Sequence, residues 1–175
     1  YEELRDLGIQ PEFLLALLDV FEDQDTFEPE TFSRFSLSTI VDSLRKTHAY
    51  YLNTKLLEIE QSIPLLVSAY PSAHPILLLL HNFDADYKSH LVAHIEMEER
   101  ELLPYIIQLE KATKEGGESI PHSTISVQKF IDSHHDTEKD LQEVRAAILH
   151  YSPPAVNQTL YRILLSQLQV FEKDM

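Results

Sequence analysis

The sequence contains no cysteine, few glycines and few basic residues. Without cysteine there can be no disulfide, thiolate zinc site, cysteine-ligated iron–sulfur cluster or cysteine nucleophile, so any metal must be held by nitrogen and oxygen ligands. The 14 Lys and Arg stand against 29 Asp and Glu, which gives a formal net charge of −15. Because phosphate contacts need clustered Lys and Arg, we expect this segment to bind no nucleic acid.

Long apolar runs are also missing. The most apolar stretch, Ile76 to Leu80, is far too short to cross a bilayer, and the N-terminus lacks a basic, apolar export signal. We therefore expect a soluble, cytoplasmic protein with no membrane partner. No nucleophile elbow, phosphate loop or catalytic triad pattern is present, so the sequence leaves open whether the protein is an enzyme.

The scarcity of glycine and the long stretches rich in Leu, Glu, Lys and Gln predict an all-α fold. A short helix from about Pro11 to Phe21 belongs to an N-terminal arm or cap, residues 1–35. Residues 36–175 then read as an antiparallel, up-down-up-down four-helix bundle. Its helices are expected from Ser36 or Ser38 to Tyr70, from His74 past Pro104 to about Thr113, from about Pro121 to before Ser152, and from about Ala155 onward.

Helical periodicity predicts which side chains point into the core. On the first helix the inward positions are Val41, Leu44, His48, Leu52, Leu56, Ile59 and Ile63. On the second they are Phe83, Tyr87, Leu91, His94, Glu98, Leu102 and Tyr105. Polar groups are therefore expected inside an apolar core.

His94 and Glu98 form a metal-ligand pattern, because residues four apart on a helix share one face. An unpaired buried carboxylate is costly, so Glu98 should be protonated, hydrogen-bonded or metal-bound. A hydrogen-bonded polar layer explains the pair equally well, and a lone imidazole such as His48 is more often a satisfied core histidine than a ligand. On the third helix, periodicity favours His134 over His135 as the inward imidazole.

The order of these motifs resembles the haemerythrin-like HHE cation-binding family. The similarity covers about residues 38–175. It is carried by the segments Thr47 to Leu52, His94 to Glu99 with Leu103 to Ile106, and Phe130 to Leu141 with its His135-Asp136. Within that family, the sequence is most similar to iron-centre-repair proteins linked to nitric oxide and oxidative stress.

The resemblance implies a non-haem di-iron site, with His48, His94 and His135 as terminal ligands and Glu98 as a bridge. It favours His135 over His134, and we adopt His135. Iron is the expected cofactor, with zinc or manganese as alternatives, and dioxygen or nitric oxide are the expected small ligands. The implied activities are oxygen or nitric oxide binding or sensing, or iron-centre repair.

The sequence departs from the family pattern in two places. The family's fourth helix supplies a further His-x-x-x-Glu, which would fall just after Met175, so we expect a fourth helix truncated at its C-terminal end. Repair relatives also carry a cysteine-containing N-terminal segment, which residues 1–35 lack.

A non-catalytic sensory or interaction domain of a longer regulatory protein, or a structural bundle without metal, therefore remains an alternative. His90, four residues before His94, is a candidate to replace a missing ligand, although surface histidines at this spacing are common, and a homodimer is left open.

Overall fold

The computed structural model describes residues 10–22, 29–71, 74–115, 139 and 141–174. Within these ranges every regular element is helical and none is a strand. The all-α class predicted from the sequence is therefore confirmed. None of the helices in these ranges combines the length and the apolar character that crossing a bilayer requires.

The α-helices, in chain order, are α1 Pro11–Glu22, α2 Leu37–Tyr50, α3 Leu56–Val67, α4 Ile76–Met97, α5 Leu103–Lys114 and α6 Gln158–Asp174. A 3₁₀ turn spans Pro29–Phe32, and residues 141–150 are also helical. Within the described ranges, π turns at Tyr51–Lys55 and Glu98–Leu102 join α2 to α3 and α4 to α5 without a break. We call residues 37–67 the first rod and residues 76–114 the second rod.

The two rods match the first and second predicted helices. Ser36 begins the first rod as its N-cap, since its Oγ accepts a hydrogen bond from the backbone N–H of Thr39 at 3.1 Å. The last predicted helix begins later than expected, at Gln158 rather than near Ala155. Asn157 has a φ of 61°, a left-handed conformation that a right-handed helix cannot include. The start of the third predicted helix lies outside the described residues.

The rods pack side by side and antiparallel, because α2 contacts α5 and α3 contacts α4. Helix α6 packs against α3. At one end of this contact the Tyr51 ring meets Phe171 edge-to-face, with centroids 5.0 Å apart. At the other end the Tyr70 hydroxyl donates to the carbonyl of Ser152 at 3.1 Å. Helix α6 therefore runs antiparallel to α3.

Both rods, the helical residues 141–150 and α6 bury side chains in one shared core. Its buried members are Tyr51, Leu56, Ile59, Ile63, Leu66, Tyr70, Ile76, Leu80, Tyr87, Leu91, Ile95, Leu141, Ile148, Tyr161, Leu164, Leu168 and Phe171. The core is apolar along most of its length, and the buried histidines lie where the π turns interrupt the rods.

The structure corrects two of the predicted inward positions. Leu44 was expected inside but is 40% exposed, and Leu102 is only partly buried, whereas Leu103 is fully buried. In a π turn the backbone bond joins residues five apart rather than four, as from Leu56 N–H to Tyr51 O and from Leu103 N–H to Glu98 O. Residues five apart therefore face the core together, and a regular 3.6-residue period misplaces their neighbours.

Helix α1 packs beside the start of the first rod. The Phe13 ring meets Phe32 and Phe35 edge-to-face, with centroids 6.0 and 5.0 Å away. The Gln10 side-chain amide donates to Thr39 Oγ1 at 3.2 Å. Between α1 and α2 lies a cavity of about 210 Å³. These contacts attach the N-terminal helix to α2.

Candidate metal centre

Side chains from both rods meet where the π turns begin. His48 lies in the last turn of α2, His94 lies in the last turn of α4, and Glu98 opens the second π turn. All three are buried, and Glu98 is only 5% exposed. Because α2 packs on the second rod, these side chains are brought together although 46 residues separate His48 from His94 in the sequence.

The carboxylate of Glu98 lies between the two imidazoles. Its Oε2 is 3.2 Å from Nε2 of His48, and its Oε1 is 3.4 Å from Nε2 of His94. Each carboxylate oxygen therefore faces a different ring nitrogen. Both histidines present the same nitrogen, Nε2, to the same carboxylate.

The surroundings of His48 favour its charged form. Burial alone would lower the pKa of His48, but hydrogen bonds to Glu98 and Glu99 and the negative charge of both carboxylates outweigh it. The pKa of His48 is consequently raised above its ordinary value. Without a metal, a cationic imidazole offsets the cost of burying the Glu98 carboxylate.

A second carboxylate holds the other side of the His48 ring. Nδ1 of His48 is 2.9 Å from Oε1 of Glu99, and Oε2 of Glu99 accepts a hydrogen bond from Nε of Arg45 at 3.2 Å. Neither Glu99 nor Arg45 was predicted from the sequence to have a role at the site. Helical periodicity gives no signal for these contacts, because they join the two rods across 51 and 54 residues.

Aromatic rings from both rods and from α6 pack against one another. The Phe171 ring of α6 meets Tyr51 and Tyr87 edge-to-face, at centroid distances of 5.0 and 6.0 Å. Tyr51 is three residues after His48, about one helical turn away. The hydroxyls of Tyr51 and Tyr87 are buried.

The remaining predicted ligand, His135, lies outside the described residues, as does His134. His90, the proposed substitute, is exposed and takes no part in the cluster with Glu98. In the part of the chain that the structure describes, no group of three or more His, Asp or Glu side chains is placed to hold a metal ion. Glu98 instead forms one close contact with His48 and a second one with His94.

The donor atoms of this cluster are two imidazole nitrogens and two carboxylate oxygens. This set suits non-haem iron, zinc and manganese, whereas soft copper(I) sites and iron–sulfur clusters call for sulfur ligands. The buried carboxylate adds a negative charge that a cation would neutralise. The residues therefore fit iron chemically, although the described pairs supply only part of a ligand set.

The chain is similar to a protein of known annotation, the iron-sulfur cluster repair protein ScdA of Staphylococcus haemolyticus (strain JCSC1435). The two sequences are 26% identical over 101 residues, and this alignment covers 58% of the present chain and 43% of ScdA. The aligned part is thus less than half the length of that relative. No family model and no solved structure matches the chain.

Proposed function

We propose that the chain binds non-haem iron inside a four-helix bundle, through His48, His94, Glu98 and His135. The observation that carries this proposal is the buried Glu98 carboxylate with one oxygen facing each imidazole. Ligand atoms about 2.0–2.2 Å from one ion, at angles between octahedral and tetrahedral, lie roughly 2.8–3.6 Å from each other. The separations of 3.2 and 3.4 Å fall in that range.

The division of the carboxylate favours two ions rather than one. An ion beside Oε2 would have His48 as its imidazole ligand, and an ion beside Oε1 would have His94. Glu98 would then be the bridge in a di-iron site, with His135 completing the terminal ligands. Zinc and manganese accept the same donors.

The shared core supports the bundle arrangement. The antiparallel rods, the helical residues 141–150 and α6 all bury side chains in it. Bundles of this kind build metal sites from inward side chains on facing helices. A third helix that carries His135 would add its ligand to the same core.

Iron with imidazole and carboxylate ligands and an open position binds or activates small diatomic molecules such as dioxygen and nitric oxide. We propose iron-centre repair under oxidative or nitric oxide stress as the cellular role, and the similarity to an iron–sulfur cluster repair protein supports this choice. Within such a role, the residues of this chain hold the metal and keep it apart from solvent. A sensory domain that uses the same site is the alternative role.

The test is iron loading of the 175-residue chain. Fe(II) is added without oxygen, excess metal is removed by desalting, and the iron-to-protein ratio is measured for wild type, His94→Ala and His90→Ala. We expect about two irons per chain in wild type, a loss of iron in His94→Ala and full retention in the exposed control His90→Ala. One iron per chain would support iron binding but contradict the two-ion form of the site.

A second reading competes with metal binding. The histidines and carboxylates already contact one another directly, as they would in a hydrogen-bonded polar layer that never binds metal. Wild type that retains no iron after loading, or equal retention in both histidine variants, would favour that reading over the iron site.

A further inference from the structure

The imidazole of His48 is contacted on both ring nitrogens, and a role as metal ligand explains only one of these contacts. Nε2 faces Glu98 at 3.2 Å, whereas Nδ1 faces Glu99 at 2.9 Å. The two carboxylates belong to consecutive residues at the start of the second π turn. Glu99 therefore holds the edge of the ring that is turned away from Glu98.

Glu99 is itself held in place from the first rod. Its second oxygen accepts a hydrogen bond from Nε of Arg45 at 3.2 Å, and Arg45 lies three residues before His48 on α2. The side chains of Arg45 and Glu99 are 44% and 34% exposed. An ion pair as exposed as this adds little to stability, so its main effect is to fix the direction of the Glu99 carboxylate.

We propose that Glu99, oriented by Arg45, is a positioning residue for His48, an inference that rests on the proposed iron site. A neutral imidazole carries one N–H, and an ionised carboxylate can only accept a hydrogen bond. In the neutral imidazole of a metal-bound His48, Glu99 would accept the hydrogen bond of the Nδ1 proton, and the Nε2 lone pair would be directed to the metal on the side of Glu98. Carboxylates that hold metal-binding histidines in this way also raise their basicity.

A purely structural role for Glu99 makes a different prediction. If Glu99 only ties the two rods together, removing it lowers the stability of the fold. Its removal then leaves the metal affinity of the protein that remains folded unchanged. Metal affinity therefore separates the two roles, and stability alone does not.

The experiment compares wild type with Glu99→Ala, Glu99→Gln and Arg45→Gln. The matched control is Glu101→Gln, which removes the same charge from the same π turn; within the described residues, Glu101 pairs with the neighbouring Arg100. Fe(II) affinity is measured without oxygen by competition with a chromogenic chelator. The hydrogen bond of the His48 Nδ1–H is read from its ¹H and ¹⁵N resonances in the Zn(II)-loaded protein, because Zn(II) is diamagnetic.

We expect Glu99→Ala to weaken Fe(II) binding about 10–100-fold and to move the His48 Nδ1–H resonance upfield, because its hydrogen bond to the carboxylate is lost. Glu99→Gln should lose less affinity, because its amide oxygen still accepts a hydrogen bond. Arg45→Gln should also weaken binding, and Glu101→Gln should match wild type.

The outcomes separate this inference from the proposed function. Iron affinity equal to that of wild type in folded Glu99→Ala would overturn the positioning role and leave the iron site intact. Failure of wild type to bind iron would overturn both. If Glu99→Ala does not fold, Glu99→Gln decides: affinity below that of Glu101→Gln supports the role, and equal affinity overturns it.

Discussion

At the scale of single residues, Glu98 is the side chain on which the polar cluster depends. A carboxylate buried to this extent needs a cation or strong donors, and in the metal-free chain His48 supplies one. Burial lowers the pKa of His48, but the contacts with Glu98 and Glu99 outweigh it and raise the pKa. A metal ion at this position would take over the role of the His48 proton.

We predict that Glu98→Gln destabilises the metal-free chain by about 1–3 kcal/mol, because it replaces the charged partner of a buried imidazole by a neutral amide. Glu96→Gln is the matched control, since Glu96 is exposed on the same helix two residues away. Chemical denaturation of both variants measures the difference. Equal stability of Glu98→Gln and Glu96→Gln would contradict the inference that Glu98 and His48 form a charged pair.

The sequence was informative about these residues but incomplete. His48, His94 and Glu98 were predicted to face one core, and the structure brings them together. The metal they are proposed to bind remains a prediction. Glu99 and Arg45 were missed because their contacts depend on how one rod lies against the other, which periodicity within a single helix cannot reveal.

At the scale of helices, the π turns determine which residues meet in the core. Pro104 gives a reason for the second turn, since its ring would clash with the carbonyl of residue 100 in a regular helix and it has no N–H to donate. No proline lies in the first π turn, Tyr51–Lys55, so nothing in its sequence marks it. The exchange of Leu102 for Leu103 was therefore not predictable from a regular period. Leu44 precedes the first π turn and lies at the edge of the face that Val41 and His48 bury.

The beginning of the first rod offers a test at this scale. Glu110 on α5 accepts hydrogen bonds from the backbone N–H groups of Leu37 and Ser38, at 3.1 and 3.2 Å, and so caps α2 from the other rod. The hydrogen bond from Lys114 has the largest effect on the pKa of Glu110 and lowers it. Burial opposes this shift, but hydrogen bonds from Ser38 add to it, so the pKa is lowered overall. The cap is therefore strongest when Glu110 is ionised.

We predict that Glu110→Gln lowers the melting temperature at neutral pH. Because the pKa of Glu110 is lowered in the folded state, its contribution is fully present above the ordinary value of 4.5 and is lost as the pH falls through the folded-state pKa. The melting temperatures of wild type and variant should converge in acid. A difference that stays constant from pH 7 to below that pKa would contradict the role of the ionised carboxylate.

At the scale of the whole molecule, composition and proline placement were enough to predict an all-helical chain and the extent of both rods. The late start of α6 depended on the left-handed conformation of Asn157, which the sequence permits but does not require. The bundle arrangement, the two-ion site and the division at residue 35 remain proposals. His135, which would complete the terminal ligands of the two-ion site, lies outside the described residues.

The most direct test of the iron site is to locate the metal in crystals of the Fe(II)-loaded chain by anomalous diffraction at the iron absorption edge. We predict anomalous density about 2.0–2.2 Å from the carboxylate oxygens of Glu98 and from Nε2 of His48 and His94. Density only at exposed carboxylates, or no anomalous density while Glu98 still contacts both imidazoles, would contradict the proposal.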